Sequence, residues 1–235
     1  MRANSRGIIV SHGPIEEALE DLRKYIWANW NDLQHSQDGV TVTYEIPYEE
    51  LDGRPALMPV DFNLTQEEDV PAGAYRPEDH SVALWINISD KARHAQMYNP
   101  GIRHPMWVEY RTSLTTTLVH ELTHAAEPAK EESRKRNKYD SRAVVRCSAD
   151  LDNLTPECRG IIERYLNTPI EVSAMTNEIV YEIVTESGSQ LPPRLEEALD
   201  LSEKWIEIEP FLSEKSKRTI YKRVYTRLYS GEVTL

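Results

Sequence analysis

His120-Glu121-Leu122-Thr123-His124 is the one stretch of the chain whose residue types and spacing suggest chemistry at once. Two imidazoles four residues apart on a helix share a face, so both can converge on a single tetrahedral ion. Glu121 sits beside the first of them and can reach the remaining position, where a carboxylate would take a proton from metal-activated water. The pattern points to zinc and to hydrolysis. The competing reading is a His-Glu pair on a solvated helix face, and it is weakened by the motif's place in the middle of a helix with an apolar side.

A catalytic zinc usually takes three protein ligands and keeps one position open, so two His are too few. Glu127 lies a turn beyond His124, and its carboxylate would have to fold back along the helix. Glu171, in Asn167-Thr168-Pro169-Ile170-Glu171-Val172-Ser173-Ala174, is the better candidate. A new helix starts there, with Pro169 suited to its first turn and Ala174 small enough to permit close packing. Thr168-x-x-Glu171 is also a capping box, in which the Glu would bind backbone N–H instead. Glu178, on the same face, is the reserve. His94, His104, Tyr139 and Tyr165 are candidate donors to an oxyanion, and Tyr165 is favoured because it just precedes Glu171.

These residues need elements to hold them. The spacing of Ile15, Leu19, Leu22, Ile26 and Trp30 predicts a helix from Pro14 to Leu33, and alternation predicts a strand over Val40–Ile46. Residues 47–78, rich in Pro, Gly and acidic side chains, read as loops around one short strand. Ser81–Ser89 is the clearest strand, with Val82, Leu84, Ile86 and Ile88 on one face and Ala83, Trp85 and Asn87 on the other. Leu114, Leu118 and Leu122 mark a helix over Glu109–Glu127, with Pro128 just beyond it. A charged, basic excursion follows over Lys130–Arg146. Helices are then expected at Pro156–Tyr165, Pro169–Glu186, Pro193–Ile208 and Ser213–Tyr229. The order is α+β: a small mixed or antiparallel sheet in the N-terminal half packed on the motif helix, then a helical C-terminal half. It is read as a single domain over residues 1–235, with a core at about 81–186 and a helical extension at about 190–235.

His120-Glu121-x-x-His124 followed by Glu171-x-x-Ala174 on a later helix resembles the gluzincin branch of the zincin metallopeptidases. Tyr165-Leu-Asn-Thr-Pro-Ile-Glu171-Val-Ser-Ala174 also resembles short zincin-like proteins of bacteria and phages. The resemblance spans roughly Ser81–Glu186. It implies a zincin-like fold, Zn2+ held by His120, His124 and Glu171, and Glu121 as the general base of a peptidase. It further implies that Ser81–Ser89 is an edge strand, pairing with an extended peptide through Ala83, Trp85 and Asn87. The long basic excursion and the lack of an Asn-Glu pair ahead of the third ligand depart from thermolysin-like proteins. Those departures bear on substrate more than on metal.

The 235 residues are 40% hydrophobic and 28% charged, ordinary for a globular chain and too apolar for wholesale disorder. Lys and Arg number 27 against 39 Asp and Glu, and the net charge of -12 disfavours nucleic acid and anionic membranes as partners. Lys215, Lys217, Arg218, Lys222, Arg223 and Arg227 make the last helix a local exception, read first as a helix packed through its apolar side with the cations in solvent. No apolar run is long enough to span a membrane, and none at the N-terminus resembles a signal-peptide core. Cys147 and Cys158 read as free thiols in a reducing cytoplasm, and release would need lysis or dedicated secretion. The expected partner is a peptide or protein substrate, with room for a protein regulator. The competing class is a catalytically idle zincin-shaped binding protein that uses the charged excursion and the basic last helix for contacts.

Overall fold

Alternation in the strands and three-and-four spacing in the helices account for most of the computed structural model, which describes residues 12–36, 39–49, 55–66, 70–88, 95–126, 141–148, 153–188 and 190–230. The chain divides into two units, Met1–Ala126 and Glu127–Leu235. Both helix and a mixed sheet are present, so the α+β class holds.

In the first unit, helix α1 (His12–Ala28) runs almost into α2 (Trp30–His35), where one helix is expected. Asn29 makes the break, because its side-chain amide bonds the Tyr25 carbonyl and its backbone leaves the helical region. Strands β1 (Val40–Glu49), β2 (Pro55–Thr65), β3 (Gly73–Arg76) and β4 (Ser81–Asn87) form one sheet in the order β1-β2-β4-β3. The β1–β2 and β3–β4 pairs are antiparallel, whereas β2–β4 is parallel.

The eleven residues of β2, with β3 after it, correct the expectation of loops around one short strand over 47–78. Met58, Val60, Phe62 and Leu64 are buried in strict alternation, a period hidden in the sequence by Pro59 and the surrounding acidic residues. Pro59 is tolerated because the ladder to β4 begins only at Val60, so at Pro59 the strand has a neighbour on one side alone. Val82, Leu84 and Ile86 continue the apolar face beside Val60, Phe62 and Leu64. The opposite face is polar: Thr43 donates to Asp61, Thr41 to Asn63, and Arg76 pairs with Asp61 while lying over the Trp85 ring.

Helix α3 (Pro105–Ala126) packs on β3 and β4, and α1 packs on β1. At the N-terminal end of α3 the buried Arg23 donates to the carbonyls of Met97, Asn99 and Ile102 and lies over Trp107. Tyr98 and Tyr110 share this region with Trp107, and burial holds both phenols above their usual pKa.

In the second unit, α4 (Ser141–Ser148) and α5 (Pro156–Leu166) are joined by a Cys147–Cys158 disulfide. The two cysteines are therefore not the free thiols expected, and the bridge is chemistry that a reducing cytoplasm works against. Helix α6 (Pro169–Ser187) follows, then α7 (Leu195–Leu199) and α8 (Glu203–Ile208), where one helix is expected. Ser202 interrupts the run by capping the Trp205 N–H while donating its own hydroxyl to Glu182. Helix α9 (Glu214–Tyr229) packs on α6, with Ile220, Val224 and Leu228 in a core shared with Met175, Ile179 and Ile183. Its apolar side is covered, as the bland reading of the basic helix has it. Most of the predicted basic excursion lies outside the described residues. Among the described residues no helix is long and apolar enough to cross a membrane.

Two measurements check this description. Thiol titration of denatured, unreduced protein is expected to find no free cysteine, and Cys158→Ala to lower stability by about 3 kcal/mol, the scale for closing so short a loop. Free thiols in the denatured protein would refute the bridge. Because the fold holds Tyr98 and Tyr110 neutral, their contribution is intact below about pH 10 and is lost as the pH rises beyond it. A tyrosinate absorbance titration should show two late phenols that ionise together with unfolding.

Candidate metal centre

Helix α3 carries the motif where the helix must be both buried and polar. Leu114, Leu118 and Leu122 are buried along one side. The buried hydroxyls of Thr115, Thr116 and Thr123 bond carbonyls one turn back, so none costs an unsatisfied group. His120 and His124 are half-buried, with ring centroids 4.8 Å apart and planes nearly perpendicular. Glu121 is buried at 9% exposure, and its Oε2 accepts the Tyr75 backbone N–H of β3 at 2.7 Å.

Glu171 is fixed by a different device. Thr168 caps α6 by accepting the Glu171 N–H, and Pro169 begins the helix. Asn167 anchors the preceding turn by donating to the Phe211 carbonyl and accepting the Ser213 N–H at 2.7 Å. In a reciprocal capping box the Thr168 N–H would go to the Glu171 carboxylate; here it bonds the Tyr165 carbonyl at 3.1 Å. The Thr168 half of the capping box is in place. Its carboxylate is buried at 6% exposure, in a stretch that is buried on all sides from Glu171 to Ile179.

One ligand atom from each of His120, His124 and Glu171 lies within 4.8 Å of the other two. Two imidazoles and a carboxylate are donor chemistry that suits a divalent metal ion, and zinc is one that such a set fits.

The other candidates separate clearly. Glu178 is paired with Lys204, 3.8 Å away, and Lys204 also meets Glu207. The neighbouring Glu182 accepts from Ser202 and from the Lys204 N–H; burial raises its pKa, and those two bonds oppose the rise. His104 precedes α3, sixteen residues before His120, which puts it about 24 Å along the helix from the motif. That distance removes it as an oxyanion donor. Tyr165 is half-buried in the last turn of α5, whereas His94, Glu127 and Tyr139 lie outside the described residues.

The edge-strand expectation needs correcting. β4 is interior, flanked by β2 and β3, and Ala83 is fully buried with Asp61 and Ala74 as its ladder partners. The Trp85 N–H is taken by the Ala72 carbonyl, and the exposed Asn87 pairs with Thr65. The sheet edge beside α3 is β3, which sequence reasoning missed. Gly73 was its one signal, since a glycine inside a strand marks a close approach. A Cβ there would stand 2.7 Å from Thr117 Cγ2, 2.9 Å from Leu84 Cδ2 and 3.1 Å from Glu121 Cγ.

No family model matches the chain, and no curated protein or solved structure matches it either.

Gly73→Ala is expected to cost about 1–3 kcal/mol by overpacking. Thr117→Ser, which removes the methyl in the way, should return part of that loss in the double variant, read by urea unfolding. Additive losses would show that Thr117 is not the obstacle.

Proposed function

We propose that the protein is a zinc-dependent peptidase of zincin type, with His120, His124 and Glu171 as the metal ligands and Glu121 as general base and acid. The observation that supports this most is the convergence of two imidazoles and a buried carboxylate, with a second carboxylate held beside them by a strand backbone. When bound, zinc supplies a Lewis acid and makes water a nucleophile at neutral pH. Glu121 takes the proton from that water as its oxygen bonds to the scissile carbonyl carbon. It then returns the proton to the departing nitrogen as the C–N bond breaks. An extended substrate would lie along β3, which is an edge strand among the described residues, and not along β4. Tyr165 stands as the candidate donor to the oxyanion.

Metal content and peptide cleavage, measured together, test this reading. Wild type and Glu121→Gln are expected to hold stoichiometric zinc, while His120→Ala, His124→Ala and Glu171→Ala lose it. Glu121→Gln should cut kcat by about 10²–10⁴-fold, the range for removing a general base. Full zinc in Glu171→Ala would return that residue to helix capping. Zinc in wild type without cleavage of any peptide would favour the binding-protein reading.

A further inference from the structure

A general base is useful only if its carboxylate points one way, and most carboxylates on exposed helices do not. Glu121 differs because a backbone donor from another element holds it, the Tyr75 N–H at 2.7 Å. In the β3–β4 ladder the Ala72 carbonyl accepts from Trp85, which fixes the alternation: Ala74 and Arg76 bond inward to β4, and Tyr75 turns its N–H outward. The donor that Glu121 uses is thus one that the sheet itself leaves over.

The strand that carries this donor is only four residues long, and short edge strands fray. Its far end is pinned. The Tyr75 hydroxyl meets His80 Nδ1 at 2.8 Å, and the Tyr48 hydroxyl, from the end of β1, meets His80 Nε2 at 3.0 Å. His80 itself sits at φ 53°, in the left-handed region that non-glycine residues adopt at a cost of about 1–2 kcal/mol. At the near end, Gly73 lets β3 approach α3 at Thr117 and Glu121. β3 is therefore set against fixed elements at Gly73 and at Tyr75 itself, the residue that carries the donor.

We propose that β3 is the positioning element for Glu121: the Tyr75 N–H orients the carboxylate, and the Tyr48–His80–Tyr75 chain of hydrogen bonds holds the strand where that donor meets it. Tyr48 and His80 are positioning residues, not catalytic ones. The catalytic importance of the contact rests on the peptidase reading; the contact and its support do not.

The test separates the two. Amide exchange at Tyr75, read by NMR on the protein as purified, is expected to be slow in wild type and at least tenfold faster in Glu121→Ala. Tyr48→Phe and His80→Asn should speed the same amide severalfold while the Leu84 and Ile86 amides keep their protection; Asn tolerates the left-handed backbone, so the turn survives. In the cleavage assay the same two variants should lower kcat about tenfold, with KM within twofold and zinc content unchanged. A Tyr75 amide indifferent to Glu121→Ala, or to both support variants, overturns the inference whether or not peptides are cleaved. A rise in KM at constant kcat also overturns it, because Tyr48 and His80 would then serve only substrate docking along β3 and not the orientation of Glu121. A wild type inert towards peptides overturns the peptidase reading alone, and the amide measurement then decides the contact by itself.

Discussion

A helix that presents two imidazoles and a carboxylate must be buried firmly enough to be rigid and yet find partners for the hydroxyl and carboxyl groups it buries. α3 meets this constraint by dividing its sides. Leucines at every fourth position give the side that packs, and the threonine hydroxyls bond back to the helix's own carbonyls. The buried carboxyl group of Glu121 receives a donor from β3. Each of these provisions depends on the others. Without the leucine stripe the helix would not lie on the sheet, and without a strand of the right register no outward N–H would stand where the carboxylate needs one.

The second unit solves a related problem differently. α6 is buried around its whole circumference near its start, so its polar residues cannot turn to water. Glu178 and Glu182 are instead answered by Lys204 and by the Ser202 cap, which also ends α7 and starts α8. Burial works to lower the Lys204 pKa, but Glu178, Glu207 and Glu182 together raise it, so the ammonium persists among three carboxylates. This local balance explains why Glu178, attractive by sequence position, is occupied elsewhere.

Local periodicity made most of the architecture legible. The motif helix, the β4 strand and the α5, α6 and α9 helices all carry strong repeats bounded by Pro or Ser/Thr caps, and they lie within a few residues of where the spacing puts them. What was lost depended on partners remote in sequence. β2 alternates as clearly as β4, but Pro59 masks it, and whether a proline breaks a strand depends on how far the neighbouring ladder extends. Edge or interior status is likewise a property of the sheet and not of the strand, so the sequence of β4 alone does not distinguish an edge from an interior strand. The link between Cys147 and Cys158 and the Tyr48–His80–Tyr75 chain leave no periodic trace at all.

The same features bear on solubility. A strand edge that could receive a peptide could equally receive another copy of the same chain, and long flat edges are where aggregates start. Here the edge is four residues long, ends in the charged Arg76, and has one of its outward donors already bonded to Glu121. A second molecule would gain too few hydrogen bonds to build a stack on it. Lengthening β3 would widen the docking surface and remove that protection in the same step.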